Sequence, residues 1–239
     1  METVVVFSGA GLSAESGVPT FRDSNGLWEQ HRVEDVASPE GWMRNRALVL
    51  NFYKQRFLKE RECLPNAAHL AIGSLQERFH VVNITQNIDT LLERGGSQEV
   101  WHLHGRIDYQ KCEHHYSIGL WNRPSVCSYR AQITRPIEEG DRCPECGAHL
   151  RPDVVWFGEA VDMKEEELDE LVRTASVFIG IGTSALVYPA AGLLPIFRHT
   201  PEKYFIDPAP NYEMLSGYTV LEGKAADEMP KLARKLLGY

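Results

Sequence analysis

The chain predicts an α/β fold in which a doubly wound parallel sheet carries a smaller lobe built from two insertions. Three observations predict it. Short β-rich runs recur, and several are apolar throughout, as strands buried on both faces must be. Stretches of helical pattern separate them, and such alternation marks a parallel sheet of the Rossmann-like kind. Two segments interrupt the alternation, a helical one at 26–64 and a cysteine-bearing one at 106–150, so the sheet domain is expected to comprise 1–25, 65–105 and 151–239.

The first strand is TVVVF at 3–7, and SGAGLSAESGVPTFR at 8–22 follows it directly. Gly9 and Gly11 have no Cβ to hold backbone N–H groups away from a pyrophosphate, and residues 13–17 are expected to open a helix whose N-terminus faces that anion. With Ala14 the run fits the relaxed dinucleotide fingerprint G-x-G-x-x-G/A. An ordinary redox crossover would continue as a long helix. Here Gly17, Pro19 and FRDSNGLW break it early, which predicts a loop folding over the cofactor.

Further along, the charged segment 26–64 centres on the helical WMRNRALVLNFYKQRFLKER. PNAAHLAIGSLQERF at 65–79 predicts a helix, and FHVVNIT at 79–85 and EVWHLH at 99–104 predict strands. After the second insertion come a strand VVWF at 154–157, a helix EEELDELVRTA at 165–175 and strands SVFIGIG at 176–182 and KYFID at 203–207. The last helix expected is AADEMPKLARKLLGY at 225–239.

With 239 residues, 43% of them hydrophobic, the chain can bury a large core. A net charge of -8 argues against nucleic acid as a partner, because phosphate backbones are gripped by basic faces. No apolar run approaches the length of a membrane span, and Met1 leads into a strand without a basic n-region, so a cytoplasmic protein is expected. No coiled-coil seam marks an interface, and a monomer is expected.

Of five cysteines, Cys112, Cys127, Cys143 and Cys146 crowd the second insertion, which in a reducing compartment favours metal over disulfides. Cys143-Pro-Glu-Cys146-Gly147 has knuckle spacing: the two-residue gap aims both thiolates at one ion. Cys112 and His115 share that gap and give a Cys3His zinc set, with Cys127 and His114 as competing ligands.

TQNIDTLLERGG at 85–96 puts Gln86, Asn87 and Asp89 at the carboxyl end of a strand, where open α/β sheets bind ligands, although Asn87 and Asp89 could instead cap the next helix. VWHLHGRI places His104 at another strand end. A histidine there suits a general base, since its ordinary pKa of about 6.5 leaves much of it neutral. Gly182, Thr183 and Ser184, in IGIGTSALVYPAAGLLP, form a second strand-to-loop junction with donors for phosphate or ribose.

GAGLSAESGVPTFR, TQNIDTLLER, LHGRI, CPECG, LRPDVVWFGE and GTSALVYPAAG, in this order and across nearly the whole chain, resemble the sirtuins, NAD-dependent protein lysine deacylases, and most closely their bacterial, class III-like CobB type. The resemblance implies a Rossmann-type domain, a smaller helical and zinc lobe, and a cleft that NAD and acyl-lysine enter from opposite sides. It assigns Gly9, Ala10, Gly11, Phe21 and Arg22 to the cofactor loop and Gln86, Asn87 and Asp89 to the ribose and nicotinamide pocket. Gly182, Thr183, Ser184, Asp207 and Ala225 complete the NAD contacts. His104 is the implied catalytic base and Asn87 helps position the ribose, while Val155, Trp156, Phe157, Gly158 and Glu159 match the segment beside which a substrate peptide lies. NAD would be consumed, with release of nicotinamide, free lysine and O-acyl-ADP-ribose. Relatives that transfer ADP-ribose to protein or hydrolyse NAD use the same electrophile, so those activities are the alternatives. A catalytically idle NAD-binding module is a third.

Three departures stand out. His115 occupies the usual place of a second cysteine, Asp207 that of an asparagine on the adenosine ribose, and Thr90 that of a glycine. In the helical insertion, Tyr53 and Arg56 stand three residues apart on one helix face. In the family this Tyr-x-x-Arg pattern marks enzymes that accept negatively charged acyl groups, and Ala37 matches a small residue that widens the same pocket. A guanidinium suits that task because its planar fork grips a carboxylate bidentately. Desuccinylase and demalonylase activity is therefore expected beside deacetylation.

Overall fold

Apolar runs dispersed along the chain pair into one all-parallel sheet. The structure, a computed structural model, describes residues 1–19, 27–28, 31–115, 127–184 and 188–239. In chain order the described elements are β1 (Thr3–Ser8), α1 (Gly11–Ala14), β2 (Leu27–Trp28), β3 (His31–Arg32), α2 (Val33–Val36), α3 (Pro39–Arg44), α4 (Arg46–Glu62), α5 (Ala67–Ser74), β4 (His80–Thr85) and α6 (Leu91–Arg94). They continue as β5 (Glu99–His102), β6 (Gly105–Cys112), β7 (Arg130–Gln132), β8 (Leu150–Val154), α7 (Glu165–Thr174), β9 (Ala175–Ile181), α8 (Leu193–Ile196), β10 (Glu202–Asp207), β11 (Thr219–Glu222) and α9 (Ala225–Leu237).

The sheet order is β11-β10-β9-β1-β4-β5, with every pairing parallel. From β1 the chain builds outward through β4 and β5 on one side, then returns to the other side through β9, β10 and β11. The reversal lies between β1 and β9, the place where doubly wound sheets open a ligand crevice at their strand carboxyl ends. Within β1, Val4 and Val6 enter one core with Ile72 of α5 and Met229 of α9, whereas Val5 and Phe7 enter a second with Leu168 and Leu171 of α7 and Leu193 of α8. Alternate residues of a strand point to opposite faces, so an unbroken apolar run is what a sheet covered on both sides requires. Each large apolar side chain buried this way contributes about 1.5–3 kcal/mol.

The two interruptions fold into one lobe. Strands β7, β6 and β8 form an antiparallel sheet, and Trp42, Phe52, Tyr53 and Phe57 of α3 and α4 share a core with Ile107, Leu150, Val154 and Trp156. Asn45 starts α4 by accepting the Leu48 N–H at 3.0 Å, a side-chain cap on an otherwise unsatisfied donor. No helix among the described residues is long and apolar enough to cross a membrane.

The sequence expectation for VVWF needs correction. The strand is Leu150–Val154, it pairs with β6 rather than joining the parallel sheet, and Trp156 and Phe157 lie beyond its end. Three features take the segment off the strand path: Glu159 accepts the Trp156 N–H at 2.8 Å, the Phe157 N–H goes to Ala37 O of the helical insertion at 3.0 Å, and Gly158 turns the chain with φ +90°. The edge strand β11, short and half-polar, carries too weak a pattern to be foreseen.

Candidate active site

The loops that follow β1, β4, β5, β9 and β10 converge on a single cavity of about 1020 Å³. Its walls include Gly9, Ala10, Gly11, Gln86, Asn87, Asp89, His104, Gly182, Thr183, Ser184, Asp207 and Ala225 from the sheet side. Ala37, Tyr53, Arg56, Val155, Phe157 and Gly158 line it from the smaller lobe. Phe21 and Arg22 lie outside the described residues, and of the loop expected to fold over the cofactor only Gly17 to Pro19 at its start and Leu27 and Trp28 at its end are described.

The glycines have a different first duty from the one their motif suggests. Gly11 N–H donates to Gly182 O at 2.8 Å and Gly9 N–H to Ile181 O at 3.1 Å, so the two loops pack back to back. A Cβ on Gly11 would sit 2.7 Å from the Gly182 backbone, and one on Gly182, whose φ is +59°, 2.3 Å from Leu12 N. The helix expected from residue 13 begins instead at Gly11 and lasts one turn, to Ala14. Ser13 therefore points into the interior.

That buried serine organises the polar end of β4. Asn87 Nδ2 donates to Ser13 Oγ at 3.1 Å, and the serine hydroxyl bonds to the Asp89 carboxyl. Burial pushes the Asp89 pKa up, while the Leu91 N–H, 3.1 Å from Oδ1, and Ser13 pull it back. Behind Ser13 lies His69 Nε2 at 3.4 Å, with its Nδ1 accepting the Asn66 N–H at 3.2 Å as half of the capping box of α5. Gln86 Nε2 donates to Thr183 Oγ1 at 2.8 Å and so joins the two strand-end loops.

His104 has a defined tautomer. Its Nδ1 lies 3.0 Å from Gln86 O, and a carbonyl can only accept, so Nδ1 carries the hydrogen and Nε2 is the basic nitrogen of a ring lining the cavity. Burial lowers its pKa and the Gln86 carbonyl opposes this only in part. The neutral imidazole a general base needs is thus the favoured form. His102 faces the other way, bridging Asn87 O and Glu93 Oε1, each at 2.8 Å, and so holds the loop rather than the cavity.

On the lobe side, Tyr53 is 3% exposed and accepts the Trp156 indole N–H at 3.0 Å. Arg56, one turn on, lies over the Phe52 ring at 5.3 Å. Beneath the 155–159 segment Arg151 binds Glu159 at 2.6 and 3.0 Å. Burial alone would raise the Glu159 carboxyl, but the guanidinium outweighs it and holds it below the usual range. The Val155, Trp156 and Phe157 N–H groups are all bonded internally. A peptide pairing here would use their carbonyls and Gly158.

The metal set differs from the expected Cys3His. The sulfurs of Cys112, Cys127, Cys143 and Cys146 all lie within 4.8 Å of one another, whereas His115 is not in the group, so Cys127 would supply the fourth ligand. The turn that closes β6 bonds the His115 N–H to Cys112 O at 2.9 Å. The adjoining strands then bring Cys127 to 3.5 Å from Cys143, with Cys146 3.4 Å from Cys112. Tetrahedral zinc with Zn–S bonds of about 2.3 Å needs sulfurs about 3.8 Å apart, so the cluster is consistent with zinc.

Over residues 9–189 the chain matches the model of the Sir2 family. The chain belongs to the Sir2 family. It is 42% identical over 99% of its length to an NAD-dependent protein deacylase of Vibrio vulnificus, of which it covers 94%. It is 41% identical to one of Helicobacter pylori, over 99% of this chain and 98% of the relative. Among solved structures, a Sir2 homolog–NAD complex superimposes with a TM-score of 0.85 at 34% identity, covering 99% of this chain and 90% of that one. This Sir2-family chain combines the Rossmann-like parallel sheet with a four-cysteine metal site.

Sequence reasoning missed four contributors to the Sir2 site: Ser13, His69, Glu60 and the hydrogen bond of Trp156. Ser13 sits inside the glycine motif, where the glycines draw the attention, and His69 and Glu60 lie on helices with no motif of their own. Glu60 is 7% exposed, and burial of a carboxylate is a signal only a tertiary structure provides.

Proposed function

We propose that this chain removes acyl groups from protein lysines in an NAD-dependent reaction: acetyl groups and, through Tyr53 and Arg56, succinyl and malonyl groups. One observation carries the reading. The same cavity is lined by His104, with Nδ1 committed to Gln86 O, by Asn87 and Asp89 hung from Ser13, and by Tyr53 and Arg56 from the smaller lobe. The relatives' common name, NAD-dependent protein deacylase, supports the reaction class.

NAD supplies an electrophilic sugar carbon once its nicotinamide leaves. Asp89 and Asn87 hold the nicotinamide amide and ribose, and Gly9 to Gly11 and Gly182 to Ser184 the phosphates and second ribose. His104 Nε2 takes a proton from a ribose hydroxyl. Asp207 Oδ1 already accepts the Ala209 N–H at 2.9 Å, and its carboxylate accepts ribose hydroxyls as an amide oxygen would. The buried walls exclude water that would otherwise hydrolyse the sugar. A four-cysteine cluster fits a reducing, cytoplasmic setting.

Incubation with NAD and acyl-lysine peptides tests this. Equimolar deacylated peptide and O-acyl-ADP-ribose, lost in His104→Ala, support the proposal. Nicotinamide release without deacylated peptide would mean hydrolysis or ADP-ribosyl transfer instead. For the acyl group, Arg56→Met is expected to lower succinyl turnover far more than acetyl turnover, and equal losses would refute the carboxylate clamp.

A further inference from the structure

Tyr53 stands edge-on to Phe52, with ring centroids 5.2 Å apart and planes at 89°, and its hydroxyl lies 3.0 Å from Trp156 Nε1. An indole N–H can only donate, so the phenol oxygen is the acceptor. The phenol keeps its own hydrogen, because burial pushes its pKa up to about 12. That hydrogen has no acceptor among the described residues, and Tyr53 lines the cavity together with Arg56.

The donor is held rigidly. Trp156 is 2% exposed, its ring lies 5.8 Å from that of Trp42, and the Arg151 guanidinium carbon is 3.3 Å from its centroid. Glu159 fixes Arg151 by two hydrogen bonds and takes the Trp156 backbone N–H as well. To turn away, the indole would have to give up its contact with the Arg151 guanidinium, which the buried Glu159 ion pair holds in place.

We propose that Trp156 is a positioning residue for acyl selection: its N–H occupies the Tyr53 oxygen, so Tyr53 presents a hydrogen to the acyl chain and favours chains that end in a carboxylate. Arg56 supplies charge and Trp156 fixes the direction of the second donor. The inference rests on Tyr53 and Arg56 being the contacts of the acyl group.

The test compares kcat/KM for succinyl-lysine and acetyl-lysine peptides in the wild type, Arg56→Met, Tyr53→Phe, Trp156→Phe and the Tyr53→Phe, Trp156→Phe double variant. Trp156→Phe should lower the succinyl-to-acetyl ratio by about tenfold, the scale of one hydrogen bond to a charged group, mainly through KM for the succinyl peptide. In the Tyr53→Phe background it should lower the ratio no further, because the two act through one contact. Replacement of Trp156 by benzothienylalanine removes the N–H while keeping the ring, and gives the same result should Trp156→Phe fold poorly. An unchanged ratio with either replacement, or an equal drop in the Tyr53→Phe background, overturns the inference. If Arg56→Met also leaves the ratio unchanged, the acyl-clamp reading itself fails; if Arg56→Met lowers it while the Trp156 replacements do not, only the role of Trp156 is lost.

Discussion

Thr90 donates both its hydroxyl, at 2.6 Å, and its backbone N–H, at 3.1 Å, to a single carboxylate oxygen of Glu60. Glu60 closes α4, the helix that carries Tyr53 and Arg56, and Thr90 follows Asp89, so this contact locks the smaller lobe to the loop of Asn87 and Asp89. Arg94 adds an ion pair at 3.4 Å. The departure from glycine at this position thus has a consequence that sequence comparison alone does not reveal.

Thr90→Val keeps the shape and the backbone bond but removes the hydroxyl from a buried carboxylate. It should destabilise the protein by about 1–3 kcal/mol in urea unfolding and raise KM for NAD. Unfolding midpoints and NAD kinetics indistinguishable from wild type would show that the contact does not couple the lobes.

A histidine serves as a base only when neutral, and burial lowers the pKa of His104, the proposed base. Activity should rise with pH through that pKa, so the acid limb of kcat/KM should fall below about 6.5 rather than at it. His104→Ala should reduce kcat by about 10²- to 10⁴-fold and abolish the limb. A limb at or above the ordinary histidine value contradicts the assignment.

His69 is buried and neutral, with its pKa lowered to about 4 by desolvation. In the unfolded chain the ring takes a proton near its ordinary value, so stability is complete above about pH 6.5 and declines as pH falls toward about 4. The gap corresponds to at most about 3 kcal/mol. His69→Gln, whose amide oxygen can still accept the Asn66 N–H, should flatten the fall between these pH values in urea titrations. An equally steep fall places the acid sensitivity elsewhere.

Four thiolates imply a definite ranking of cysteine variants. Cys127→Ser should lower zinc content by elemental analysis and lower the thermal midpoint, whereas His115→Ala should bind one zinc per chain. Retained zinc in Cys127→Ser with loss in His115→Ala would restore the Cys3His set.

The parallel sheet was legible because the valine-rich runs are apolar on both faces and the intervening helices keep their period. The convergence of the glycine loop, Gln86 to Asp89, His104 and Gly182 to Ser184 was legible too, since all follow strands and parallel strands end on one side. Cys127 was legible only as a competing ligand to His115, for it stands 15 residues from Cys112 and 16 from Cys143 with no knuckle spacing, and the pairing of the lobe decides in its favour by bringing it to the other sulfurs.

The sequence by itself determined the sheet, the crevice and which polar residues stand at its mouth, because strand burial and strand-end position are properties of local pattern. The tertiary structure alone decided what each polar group is bonded to: Ser13 turned inward beneath Asn87 and Asp89, Trp156, beyond the end of β8, turned onto Tyr53, and Glu60 turned beneath Thr90. These contacts join residues 30 to 103 positions apart, and a buried polar group is satisfied by whatever partner the packing brings near, which no local pattern encodes.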